Sequence, residues 1–526
     1  RHELEKEFSA VYVFNLRGNQ RTSGELSRRE GGKIFGSGSR TPVAITLLIK
    51  KPGHTGKAQI FYHDIGDYLT REEKLHKVKT FADYAVMPWE QLHPNEHNDW
   101  INQRCGDFDD FVPLNDGDTA IFCMRSGGLK TNRDAWCYNF SNEQLKHNIK
   151  VSIDFYNSEV DRLQKIKQQN NEISVTDIIS FDKTKFSWDF QQKQDIQKYK
   201  KYNFAYDSVY NSTYRPFVKE ISYFNRQLNN RVYRQPSLFP TANHNNLVIQ
   251  VTGTGSSKDF SCLISNTLPD LEVISKGQCF PLYHYEKSEP KGKAVEQGSL
   301  IPQKSKPKQL GLPLPKTVTE EYTCKDAITD AGLEHFQTYY EDDKISKEDL
   351  FYYAYGILHS PKYREKYAAD LKKMLPRVPL APDFWAFSKA GRELAHWHLD
   401  YEQVEPWPVE EERKPQGDMD DFTYYHVEKM RFPKKGERGT IIYNGNITFK
   451  GIPLDAYHYV VNGKSALDWL MERYAITIDK DSGIRNDPND WCREHNDPTY
   501  IYNLVKRIIR VSLETNRIVA GLPGID

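Results

Sequence analysis

The sequence predicts a partial α/β sheet followed by a mixed α+β region whose C-terminal part is helical. Three observations predict it. Apolar, β-branched runs at Val11–Leu16 and Val43–Lys50 each meet polar segments rich in Gly, Asn, Ser and Arg, as strands do at the mouth of a sheet. Aromatic and alternating apolar residues from Phe181 to Tyr285 read as further strands. Beyond Ile345, capping residues and helical spacing of apolar residues take over.

Taken in order, Arg1–Phe8 reads as the last turns of a helix; with no initiator Met, it suggests a chain cut from a longer one. Candidate strands follow at Val11–Leu16, Val43–Lys50, Ala58–Tyr62 and Thr119–Met124, with a charged helix near Arg71–Asp83. Ser141 to Gln144 fits a capping box, and Leu145, Ile149, Ile153, Val160 and Leu163 follow at helical spacing. That long helix is expected to connect two domains, 1–165 and 166–526. Leu247–Val251 alternates as a strand, and the Lys-, Pro- and Gly-rich stretch 287–316 reads as a linker-like loop. Ser346 and Ser360-Pro361 start helices, Pro376 stops one, and Asn444-Gly445 is a hairpin turn. Asp497-Pro498 starts the last helix, with Ile501, Leu504, Val505, Ile508 and Ile509 on its core face.

Composition narrows the function classes. Hydrophobic content of 38% with 13% aromatics suits packed cores. Lys+Arg and Asp+Glu both number 72, so a nucleic-acid partner would require cations gathered on one face. The seven cysteines are scattered and never spaced as CxxC, which argues against a zinc ribbon or disulfide framework and favours a reducing cytoplasm. No apolar run has the length of a membrane span.

Phosphates attract Arg and Lys, and base edges are read by Arg, Lys, Asn and Gln. Arg17, Asn19, Arg21, Ser39 and Arg40 lie at the strand mouths and are candidates for DNA contact. So are Lys130, Asn132 and Arg133 in one Gly-rich loop, and Arg226, Arg231 and Arg234 in a second. His93, Glu96 and His97 match the H-x-x-E-H pattern of a metal hydrolase, but Pro94 and Asn95 favour a loop, where the two histidines share no helix face. No metal site is expected.

The segments Tyr12–Arg21 and Ile34–Ile45 resemble late motifs of gamma-class N6-adenine DNA methyltransferases. The form is that of the single-polypeptide, Type I-like (Type ISP) restriction-modification enzymes. The resemblance continues through Asp99–Arg104, Thr131–Trp136, Tyr214–Phe217, Tyr355–Pro361 and Asn462–Ala466. It implies that the first sheet is the trailing part of a Rossmann-like methyltransferase domain and the remainder a target-recognition domain. It also implies that Phe35 stacks on a flipped adenine. The family's Asn/Asp-Pro-Pro-aromatic tetrad is absent, Asp487-Pro488 being the nearest echo, and so is its Gly-rich donor loop. No catalytic residue is therefore expected in this chain. Upstream methyltransferase, ATPase and nuclease regions of the same polypeptide would supply S-adenosylmethionine binding, ATP with Mg, and cleavage of double-stranded DNA. The alternatives are a free-standing DNA-binding specificity protein and a metal-dependent hydrolase at His93, Glu96 and His97.

Overall fold

The computed structural model describes residues 1–21, 24–36, 38–170, 172–288 and 322–526. Beyond Ser288, the linker expected at 287–316 lies outside the described residues. After a short helix α1 (His2–Glu7), strands β1 (Ala10–Asn15), β2 (Ala44–Ile49), β3 (Gln59–Asp64) and β4 (Glu90–Leu92) form one sheet in the order β2-β1-β3-β4. β1 runs antiparallel to β2 and parallel to β3, and β4 is antiparallel to β3. A Rossmann-like sheet is mostly parallel. One parallel pair between antiparallel flanks establishes only a mixed α/β layer.

Helix α2 (Arg71–Phe81) starts where Thr70 and Glu73 cap each other's backbone N–H. Its Val78 and Phe81 pack against a small core of Phe14, Leu16 and Ile65. The outer strand is different. Ile45, Leu47 and Leu48 of β2 are 42%, 41% and 44% exposed, and β2 has no neighbour on its far side among the described residues.

The remaining chain builds two larger sheets. One joins β5 (Ser126–Gly127), β9 (Val248–Val251), β10 (Cys262–Ser265) and β12 (Gln278–Pro281) in the order β10-β9-β12-β5. The other joins β6 (Tyr138–Asn139), β7 (Val209–Arg215), β8 (Val218–Tyr223) and β11 (Leu268–Pro269) in the order β11-β7-β8-β6. Every residue of β9 and β10 is buried, in contrast to β2. The strand expected at Thr119–Met124 is reduced to a single bridge between Phe122 and Ile328.

Helix α3 (Asn142–Gln169) is capped by Ser141, and Leu145, Ile149, Ile153, Val160 and Leu163 are all buried. They pack on Phe186, Tyr202 and Tyr223, so α3 is a wall of the larger body rather than a connector. The division at 165 is corrected accordingly. Residues from Phe108 onward already share a core with Ile249, Phe280 and Phe351. Helices α4 (Lys347–His359) and α5 (Phe384–Leu399) meet where Gly356 faces Gly391; a Cβ on Gly391 would lie 1.9 Å from the Tyr352 carbonyl oxygen. Helix α6 (Tyr500–Ala520) buries Ile501, Leu504, Val505, Ile508 and Ile509, each contributing roughly 1.5–3 kcal/mol.

Asp99 joins the two bodies. Its carboxylate accepts from Arg104 at 2.9 Å and pairs with Lys373 at 2.8 Å. Burial alone would raise this carboxyl, but the hydrogen bonds from Lys373 and Arg104 outweigh it and hold the group well below the usual range.

Candidate nucleic-acid interface

The loop from Asn225 to Arg234 is built on asparagine turns and strand-like pairing. The Asn225 side chain accepts from the Gln227 N–H, and buried Asn229 accepts from the Asn225 N–H, both at 2.9 Å. Lys130 and Arg231 exchange both backbone hydrogen bonds at 2.9 Å. The Arg234 N–H donates to Ser126 Oγ at 3.0 Å, and buried Gln235 donates to the Gly127 carbonyl at 2.9 Å. The backbone is thus fastened at four points to residues 126–130.

The cations on it are not fastened. Arg226, Arg231 and Arg234 are exposed, and none has an ion pair among the described residues. Half-exposed Lys130 is likewise unpaired. Arg234 lines a cleft of about 480 Å³ with Asn115, Asp116, Arg125, Tyr233 and Gln278. Arg226 lines a second, of about 330 Å³, with Tyr210, Phe224 and again Tyr233. Sequence reading singles out neither Arg125, Asn115 and Gln278, which arrive from distant segments, nor Tyr233, although it sits between Arg231 and Arg234.

Other expected contacts are corrected. Arg133 is only 6% exposed; its Nη2 donates to Gln192 at 2.6 Å and its guanidinium lies 5.7 Å from the Phe186 ring centroid. Burial also lowers its pKa. Asn132 is exposed in left-handed backbone, φ 58°, and donates to Asp189. Arg17 is clamped by Asp64 at 2.6 Å and by Asp67. Those carboxylates, not a phosphate, neutralise it.

The strand-mouth loops hold the other candidates. Gly31 and Gly32 are required there, since a Cβ on Gly31 would lie 2.1 Å from the Leu69 carbonyl oxygen. Buried Lys74 donates to the Glu30 and Gly32 carbonyls at 2.7 and 2.8 Å, fixing the loop. Arg40 donates to the Gln20 carbonyl at 2.7 Å and lines an open cleft with Lys33, Tyr68 and Arg71. Arg21 is exposed; Asn19 accepts from its N–H at 3.1 Å, and Ser39 shares a hydrogen bond with Thr41. Phe35 is 58% exposed, so it is not a core residue.

His93 to His97 lie in a loop with a turn at Glu96 and His97, not a helix. Among the described residues, no group of three or more His, Cys, Asp or Glu could hold a metal ion, and no helix is long and apolar enough to cross a membrane. Asp487 caps the helix Pro488–Glu494, a structural role.

The chain resembles proteins of known structure. It matches a nuclease-deletion mutant of the Type ISP restriction-modification enzyme LlaGI, in complex with a DNA substrate mimic, at 38% identity and TM-score 0.84, over 100% of this chain and 44% of that one. It matches the ATP-dependent Type ISP restriction-modification enzyme LlaBIII bound to DNA at 33% identity and TM-score 0.83, over 99% of this chain and 31% of that one. A DrdV–DNA complex matches at 30% identity and TM-score 0.80, over 99% of this chain and 48% of that one. This chain therefore spans less than half the length of each. No curated protein matches the sequence. The family model of the Type ISP C-terminal specificity domain matches residues 120–504, most of the larger body and its whole arginine-bearing loop, and the chain belongs to that family.

Proposed function

We propose that this chain recognises the DNA target of a Type ISP restriction-modification enzyme. The carrying observation is the set of unpaired arginines, Arg226, Arg231 and Arg234, on a loop with fixed backbone inside the family-matched region. Cations without internal partners, on a rigid support, neutralise phosphates at little reorganisation cost. Duplex titrations over a range of salt test this. Measurable affinity with a steep salt dependence is expected; none would overturn the reading.

In this proposal, target methylation at adenine N6, ATP-driven translocation with Mg and DNA cleavage belong to the intact enzyme. The residues present do not fit S-adenosylmethionine, since the sequence has neither the Gly-rich donor loop nor the Asn/Asp-Pro-Pro-aromatic tetrad. No step of methyl transfer is assigned to them. Exposure of Phe35 supports a stacking role toward a flipped adenine. Phe35→Ala in the intact enzyme is expected to cut methylation far more than DNA binding; equal loss of both would remove the role.

A further inference from the structure

The Tyr233 side chain is held in an unusual way. Its backbone is left-handed, φ 46°, a conformation costly for an aromatic residue. Its ring lies over Gly127, where a Cβ would come within 2.9 Å of two ring carbons. The residue is nonetheless 48% exposed. One ring face thus rests on backbone and the rest faces solvent. An aromatic so fixed loses little freedom on stacking or packing against a partner.

The cleft beside it has a particular mixture of groups. Arg234 and Arg125 bring two guanidiniums to one cavity, which favours a partner rich in acceptors. Arg125 donates to Gln278 Oε1 at 2.9 Å and sits 3.7 Å from Asp116, whereas Arg234 has no ion pair among the described residues. A phosphate would meet the Asp116 carboxylate at the same cleft and be repelled. A G·C pair would not: guanine offers O6 and N7 to an arginine, and cytosine offers its N4 amino group to a carboxylate.

We infer that this cleft reads a G·C pair of the target in the major groove, with Arg234 on guanine, Asp116 near cytosine and Tyr233 as the wall that holds the pair in register. This rests on the DNA-recognition reading above and assigns part of its specificity. Arg234 is a base-reading residue; Tyr233 and Gly127 are positioning residues.

The test is selection of bound duplexes from a randomised library by the full polypeptide, wild type and variants. Wild type is expected to return a consensus. Arg234→Ala should return the same consensus except at one G·C position, where discrimination falls roughly 10- to 100-fold. Its folding should be unaffected, because the side chain is exposed and unpaired. Tyr233→Ala and Gly127→Ala, the second moving the ring without removing it, should blur the same position, and Tyr233→Phe should preserve it. An unchanged consensus for Arg234→Ala, with affinity lowered evenly and a salt slope lower by about one, would make Arg234 a phosphate contact and overturn the inference. No change in consensus or affinity would overturn it too. A wild-type protein that binds no duplex would instead bring down the DNA-recognition reading itself.

Discussion

Two loops of this molecule read alike in sequence and behave differently in structure. The strand-mouth segment around Arg17 to Arg40 and the loop Asn225 to Arg234 are both rich in Arg and Asn. In the first, Arg17 is held by Asp64 and Asp67, Arg29 reaches Asp67 at 3.1 Å, and Arg40 donates to a backbone carbonyl. In the second, the backbone is anchored and the three guanidiniums carry no ion pair among the described residues. An arginine already facing a carboxylate must release it before it can neutralise a phosphate. Counting partners, rather than cations, separates structural arginines from those available to a ligand.

The sharpest test removes the unpaired set. Arg226, Arg231 and Arg234 changed together to Ala should weaken duplex binding on the order of 10²–10³-fold and lower the salt slope by roughly 2.7, about 0.9 per lost phosphate contact. Less than that from titrations at several salt concentrations would mean that fewer of the three reach phosphate. Thermal unfolding should not change.

The second test addresses the seam that keeps the first loop structural. Asp99→Asn should cost about 1.5–3 kcal/mol of stability at neutral pH, since a nearly buried carboxylate loses charge-assisted hydrogen bonds from Arg104 and Lys373. The folded carboxyl is depressed, so its contribution is complete above the ordinary value near ~4 and is lost as pH falls through the lower folded value. Melting curves of wild type and variant should converge in acid. Divergence toward low pH would contradict the assignment.

A smaller effect is expected at Arg17. Arg17→Ala should cost roughly 1–2 kcal/mol, because its pairs with Asp64 and Asp67 are only partly shielded from solvent. Duplex affinity and salt slope should stay at wild-type values. A slope lower by about one would make Arg17 a phosphate contact and erase the contrast between the loops.

Local order was legible in the sequence where neighbours along the chain determine it. The apolar stripes of α3 and α6 are buried as their spacing predicts. Ser141, Ser346, Ser360 and Asp487 cap helices through their own side chains. Asn444 accepts from the Asn446 and Ile447 N–H groups, making the predicted hairpin turn. What failed depended on distant partners. Phe122 finds only Ile328, so the strand expected there does not form. The cleft at Arg234 combines side chains from near 115, 125, 233 and 278, a juxtaposition that spacing along the chain does not encode.

Arg133 gives the smallest effect and the finest discrimination. Its polar neighbourhood in sequence, Lys130 to Asp134, suggests a DNA-facing loop. In the structure the guanidinium is buried against Phe186 with Gln192 as its hydrogen-bond partner and no carboxylate paired to it. A buried cation without an ion pair contributes little, because desolvation offsets what the hydrogen bond returns. Gln192 would not be orphaned by its removal, since the same oxygen also accepts from the Asp189 N–H at 3.1 Å. Methionine can fill the volume and lie against the ring. Arg133→Met should therefore change stability by less than about 1 kcal/mol, in either direction, and leave the salt slope of duplex binding untouched. Arg133→Glu places an unpaired acid in the same site and should destabilise the fold by several-fold more. A lower salt slope for the Met variant would show that Arg133 leaves its pocket to meet the duplex.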